Sequence, residues 1–169
     1  MLPDDVFPDY VPQDDIEAKE SHINECDYKN GYISLGGGQF GWEMCYWNLK
    51  DGRKLVAVNS DTETGSIIRT FFYDKGKLRE DKNYKLGGNQ TYKLEDFVEI
   101  SQLAPDIVKK AREAFDEGKY NLFYQLPQKG TSIKVLLDEY SLTESYDDIP
   151  YEAQKTVIIK WVNEKWVKQ

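Results

Sequence analysis

Several segments of the chain hold residue types that could do chemistry. Gly36-Gly37-Gly38-Gln39-Phe40-Gly41 matches the G-x-G-x-x-G spacing of a dinucleotide-binding turn. That fingerprint works because the turn opens a helix whose N-terminus faces the pyrophosphate. Here Trp42-Glu43-Met44-Cys45-Tyr46-Trp47 follows and reads as a strand, so the glycines read as a turn or bulge ahead of it. Asn59, Asp61, Glu63 and Gly65 imitate the alternating oxygen ligands of a calcium loop. A calcium loop needs glycine at its sixth position and a bidentate Glu at its twelfth. Counting from Asn59, Gly65 is seventh and Thr70 twelfth, so the segment reads as a loop between hairpins. His22 and Cys26 are four apart, as two metal ligands on one helical face would be. A structural zinc takes about four ligands, and one His with two Cys in the whole chain falls short. We therefore expect neither a metal nor a cofactor.

The single imidazole also bears on catalysis. A Ser–His or Cys–His nucleophile pair would have to be assembled around His22, in the acidic N-terminal part of the chain. Carboxylate pairs occur at Asp138 with Glu139, and at Asp147 with Asp148 beside Glu144. A glycosidase needs two carboxylates facing each other across a cleft. Adjacent strand residues point to opposite sides, and the second cluster reads as a solvated loop before Pro150. No catalytic residue is assigned on these grounds. Cys26 and Cys45 would be bridged only in an oxidising compartment, and Cys45 in an apolar strand reads first as a small buried residue. Asn89-Gln90-Thr91 is an N-glycosylation sequon, meaningful only on a eukaryotic secretory route.

The aromatic residues are the remaining candidates. Trp42, Met44 and Tyr46 alternate with Cys45, Trp47 and Leu49, so both faces of this strand are apolar. Such a strand either lies between two covering layers or presents an aromatic face to a ligand. Sugar readers stack rings on flat Trp or Tyr faces beside Asp or Asn, which makes Trp42, Tyr46 and Trp47 the candidate ligand-binding residues. Core packing is the competing explanation for the same three rings.

The elements that must position these residues follow from periodicity and turn chemistry. Asp14 and Glu17 are spaced as a capping pair for a short helix carrying Ile16 and Ile23 on one face. From Tyr32 the pattern is β. Lys50-Asp51-Gly52, Asp74-Lys75-Gly76, Pro127 to Gly130 and Asn163-Glu164-Lys165 each separate two β-rich runs as hairpin turns would. One helix is clear: Pro105 stands at a first helical position, Ile107, Val108, Ala111, Ala114 and Phe115 recur at three and four, and Gly118 follows as a stop. Residues 91–103 fit either a strand or a helical turn.

Charge separates the ends of the chain. Nine acids face only Lys19 and Lys29 in residues 1–29, a net of −7 out of −8, so the rest is nearly neutral. Such a balance argues against nucleic acid and anionic lipid as partners. Pro3, Pro8 and Pro12 add to the acidity, so residues 1–13 read as an extended, solvated, acidic Pro-rich arm whose removal leaves folding intact. An ordered strap held by Val6, Phe7, Tyr10 and Val11 is the other reading. An opening of Met-Leu-Pro-Asp-Asp suggests a trimmed chain, so a membrane would be met only through a removed anchor. No stretch approaches the roughly 18 apolar residues of a membrane span.

The ending Thr156-Val157-Ile158-Ile159-Lys160-Trp161-Val162-Asn163-Glu164-Lys165-Trp166-Val167-Lys168 and the repeated hairpin turns resemble small β-rich secreted or envelope proteins of unknown function from gut bacteria. The resemblance implies a periplasmic, cell-surface or extracellular location, with a cytoplasmic one as the alternative. It brings no catalytic or ligand motif with it. The expected fold class is α+β: an antiparallel β-meander of consecutive hairpins, of about seven to nine strands, packed against one main helix at about residues 105–117. Residues 14–169 should form this single domain behind the 1–13 arm. The expected role is non-catalytic binding of a glycan, peptide or protein. The alternative is a small carboxylate-dependent hydrolase. An enzyme should show a pocket with two facing acids, and a binder an exposed aromatic patch.

Overall fold

The computed structural model describes residues 2–12 and 14–169. The fold is α+β, and its strands form two antiparallel sheets rather than one. Six strands lie in chain order as a meander: β1 (Ile23–Asp27), β2 (Tyr32–Leu35), β3 (Trp42–Asn48), β4 (Lys54–Thr62), β5 (Gly65–Asp74) and β6 (Lys77–Glu80). Four more, β7 (Leu122–Gln125), β8 (Ile133–Leu137), β9 (Val157–Val162) and β10 (Lys165–Lys168), follow one another in the second sheet. All four turns expected from the sequence join paired antiparallel strands. The calcium-like segment is a further hairpin turn, with Thr62 paired to Gly65. The glycine run leads from β2 into strand β3, with no helix after it.

Helices precede and connect the strands. The longest helix, α3 (Pro105–Asp116), is preceded by α1 (Ile16–Ser21) and α2 (Leu94–Phe97) and followed by α4 (Tyr140–Thr143). Helix α3 buries Ala111 and Phe115. These join Leu94 and Phe97 in a core shared by both sheets, where Leu55 and Ala57 of β4 meet Ile133 and Ile159. One helix does not cover the meander; the second sheet and the short helices together do.

Strand β4 explains why a second layer is needed on the other side. Leu55, Val56, Ala57, Val58 and Asn59 are all buried, so the strand is covered on both faces. Leu55, Ala57 and Asn59 turn inward to the second sheet. Val56 and Val58 turn outward, together with Trp42 and Phe71, into a second cluster completed by Val6 and Val11. The N-terminal arm is therefore a strap over residues 2–12, and the expectation of a solvated tether is corrected. Its carboxylates face water while its apolar residues turn in. Phe7 stacks on Trp42 at 5.5 Å, and the Trp42 indole N–H donates to the Val6 carbonyl at 2.8 Å. Arg69 fixes the strap from the sheet, bridging Asp5 at 3.1 Å and Glu80 at 2.7 Å. Gly38 makes room for it: a Cβ there would sit 2.1 Å from the Tyr10 ring.

Two further expectations change. Helix α1 is capped by Asp15, whose side chain accepts from the Ala18 N–H at 3.0 Å, and not by Asp14. It ends before Ile23, which begins β1, so His22 and Cys26 do not share a helical face. Both cysteines are free. Cys26 pairs opposite Ile33 and Cys45 opposite Tyr32, which leaves β2 between them. Two strand spacings, about 9.5 Å, exceed the roughly 7 Å that a disulfide can span.

Two substitutions test this packing. Ala111→Asp puts a carboxylate at a fully buried helix position and should cost more than about 3 kcal/mol in denaturant unfolding. An unchanged midpoint would show that α3 does not pack there. Deleting residues 2–12 uncovers Trp42 and removes two buried valines, a loss of roughly 3 kcal/mol. Acrylamide should then quench Trp fluorescence that it does not reach in the intact chain.

Candidate functional site

The second sheet ends in an open edge. Strand β7 pairs only with β8, so its outer backbone groups have no ladder partner. Buried peptide groups without partners are costly, and here side chains of the meander supply the partners. Ser66 Oγ accepts from the Tyr124 N–H at 2.9 Å, and Asn59 Nδ2 donates to the Tyr124 carbonyl at 2.7 Å. Glu43 Oε1 accepts from the Leu126 N–H at 2.6 Å. Gly65 lets the backbones approach: a Cβ there would lie 2.7 Å from the Leu122 carbonyl oxygen.

These polar side chains form one connected group. Glu43 Oε2 accepts from the Tyr32 hydroxyl at 2.9 Å. Asn59 Nδ2 also faces Glu43 Oε1 at 3.3 Å and Asp61 Oδ1 at 3.1 Å. Ser66 Oγ donates to Asp61 Oδ1 at 2.5 Å. Asn59 is almost wholly enclosed, and its Oδ1 has no hydrogen-bond partner among the described residues. Burial raises the Glu43 carboxyl above its ordinary value, against the pull of its hydrogen bonds from Leu126, Tyr32 and Asn59. Burial, with the Glu43 carboxylate second, pushes the Tyr32 phenol up.

A cleft of about 570 Å³ opens beside this group. Tyr32, Glu43 and Asp61 contribute to its walls, and Gln125, Ser132 and Lys134 come from the second sheet and its β7–β8 loop. Gln128 of that loop donates to Glu25 of β1, tying the loop across to the meander. The lining is therefore rich in amides, hydroxyls and charges of both signs.

The three aromatic candidates are distributed over both faces of β3. Trp42 borders the cleft but is only 2% exposed, beneath the strap. Tyr46 is half-buried, with the Lys54 ammonium 3.7 Å from its ring centre. Trp47 is also 2% exposed, on the inner face, where it meets Trp166 at 5.1 Å and donates to the Thr131 carbonyl. The carboxylate pairs seen in the sequence do not face each other across this cleft. Asp138 is held by Asn121, Glu139 by Gln154, and Asp147 is exposed.

Sequence reasoning missed Glu43 and Asp61. Their signal was parity: Asn59 and Asp61 continue the inward series of Leu55 and Ala57, and Glu43 continues that of Cys45 and Trp47. Polar residues at inward positions mark a buried polar seam. Comparison with family models, with curated proteins and with solved structures returns no match.

The seam has a pH signature. A carboxyl that holds its proton more tightly in the folded chain makes stability fall as pH rises from the ordinary glutamate value of 4.5 through the raised one. Glu43→Gln should flatten that slope in urea unfolding between about pH 4 and pH 8. Glu43→Ala should lose about 1–3 kcal/mol, because the Leu126 N–H and Tyr32 hydroxyl are left without an acceptor. A Glu43→Gln chain with an unaltered slope would take the assigned cause away.

Proposed function

We propose that the protein is a non-catalytic binding protein that takes a neutral, hydroxyl-rich ligand, a glycan, in the cleft between its two sheets. The observation that carries this reading is the cleft's lining, in which amides, hydroxyls and carboxylates converge and polar surface outweighs apolar. Such walls exchange water for the many donors and acceptors of a sugar, as charge-assisted and bidentate hydrogen bonds do. The carboxylates favour binding over hydrolysis. Both oxygens of Glu43 accept hydrogen bonds that hold the sheets together, and Asp61 Oδ1 is engaged by Ser66 and Asn59. A proton shuttle needs an acid free to change partners.

One observation favours the alternative hydrolase: Glu43, whose carboxyl burial raises, stands near Asp61 on one cleft wall. That pairing has the environment of an acid and a base with separated pKa values. Release of reducing ends that is lost in both Glu43→Gln and Asp61→Asn would establish it. An envelope or secreted location belongs to the same proposal and rests on the resemblance of the C-terminal hairpin. Fractionation of the source cells tests it. Among the described residues no helix is long and apolar enough to cross a membrane.

The binding test uses gluco-, manno-, xylo- and chito-oligosaccharides titrated into the isotope-labelled chain. Amide shifts should gather at Gln125, Lys129, Ser132 and the Tyr32 strand. Ser132→Trp, which fills the cleft, should weaken binding at least about tenfold, or 1.4 kcal/mol, with an unchanged far-UV spectrum. Shifts confined to other surfaces, or none with any of the sugars, would overturn the reading.

A further inference from the structure

Farther along strand β7 from the cleft lies a second depression, of about 650 Å³, that shares no lining residue with it. Phe123 turns into it while the ring of its neighbour Tyr124 turns to the inner core beside Tyr92, because successive strand residues face opposite ways. Tyr140 and Tyr146 form one wall. Their ring centres lie 4.9 Å apart at 31°, and they are 47% and 64% exposed. Glu144, in the left-handed backbone region at φ 59°, turns the chain so that Tyr146 returns to Tyr140. Phe40, from the glycine-rich loop, is the fourth ring.

Solvated aromatic rings at this density are unusual for a surface with nothing to bind. The charge around them is of one sign. Glu63, Asp138 and Glu144 line the groove, and no lysine or arginine does. Asp138 accepts from Asn121 at 3.3 Å. Among the described residues no hydrogen bond or ion pair engages the side chains of Glu63 and Glu144, and no base neutralises the group. Some exposed acids elsewhere on the molecule are paired, as Glu95 is with Arg112 and Glu117 with Lys119. An anionic ligand is repelled here. A neutral sugar could stack on the rings and donate hydroxyls to the carboxylates, but it leaves their like charges uncompensated. A cation gains twice, from the ring faces and from the carboxylates.

We propose that this groove is a docking site for a basic peptide segment, one whose lysine or arginine side chain lies against Tyr140 and Tyr146 with Glu63, Asp138 and Glu144 around it. The site is independent of the glycan cleft. A chain holding a sugar in the cleft and a basic segment in the groove would join a glycan to a protein along β7.

The test uses a short lysine-containing peptide, the same peptide with acetylated lysines, and glucose oligosaccharides, each titrated by NMR. The lysine peptide should shift Phe123, Tyr140 and Tyr146, and binding should weaken with added salt. Acetylation should abolish it. Tyr146→Ala and the double variant Glu63→Gln/Glu144→Gln should each weaken it at least about fivefold, or 1 kcal/mol. Glu113→Gln, on the exposed face of α3, should leave it unchanged, which separates docking from general attraction to a chain of net charge −8. Equal weakening by Glu113→Gln, binding that survives acetylation, or a glucose oligosaccharide taking the groove in place of the peptide would overturn the proposal. Ser132→Trp should leave peptide binding intact, so a failure in the cleft and a failure in the groove remain distinguishable.

Discussion

The unpaired edge of β7 is the constraint on which the rest of the molecule depends. A buried strand edge must satisfy its peptide groups, and a ladder with a neighbouring strand is the usual means. Here Ser66, Asn59 and Glu43 of the meander reach across and do it with side chains. At Gly65 and Leu122 the two backbones come close, whereas toward Tyr124 and Leu126 side chains span the seam. A gap therefore opens beside the seam, and the cleft occupies it. The acids that line the cleft belong to the joint between the sheets, which explains both their burial and their fixed partners. Replacing a ladder by polar side chains makes the joint sensitive to protonation, since one of them is a carboxyl that burial disposes to hold its proton.

The same geometry decides how the chain covers its own apolar surface. The second sheet and the helices close over the inner face of β3 and β4. Nothing from that side can reach Trp42, Val58 and Phe71 on the outer face, and the N-terminal strap does so. Its composition suits that position. Two tight turns, at Asp4–Val6 and Pro8–Val11, keep its carboxylates wet on one side while Val6, Phe7 and Val11 supply the apolar contacts. Trp161 and Trp166 meet Trp47 at the far end of the inner core, at 6.4 and 5.1 Å. The aromatic richness of the chain is thus divided between two cores. What is left over for solvent is mainly tyrosine, at Tyr140, Tyr146, Tyr151 and Tyr28.

Two surfaces of different chemistry lie along β7 in consequence. At one end the polar seam leaves a cleft of mixed donors and acceptors, suited to a hydroxyl-rich ligand. At the other the loop after α4 gathers exposed rings among uncompensated carboxylates. The acidic excess in the N-terminal part of the chain has a separate role. It lies outward on and around the strap, where Asp5 meets Arg69, and it does not line the cleft.

Local chemistry made much of the architecture legible in the sequence. Asp-Gly and related turns between β-rich runs located four hairpins, and Pro105 with its three-and-four spacing located α3. Both signals act over a few residues, so no distant contact can erase them. Alternation on β3 showed that the strand has two apolar faces, but not what covers each. That depended on residues 2–12 and on a second sheet whose strands begin some eighty residues later. The division of ten strands between two sheets was hidden for the same reason, since each hairpin is local while the choice of which hairpins pair is not. Trp42 and Trp47 looked like a platform because a strand's composition is visible and its burial is not. Glu43 and Asp61 lie eighteen residues apart on neighbouring strands, and Tyr124 and Leu126 another sixty farther on. Only folding brings them together, because an unsatisfied backbone edge in one sheet selects its partners by position in space, and distance along the chain has no part in that choice.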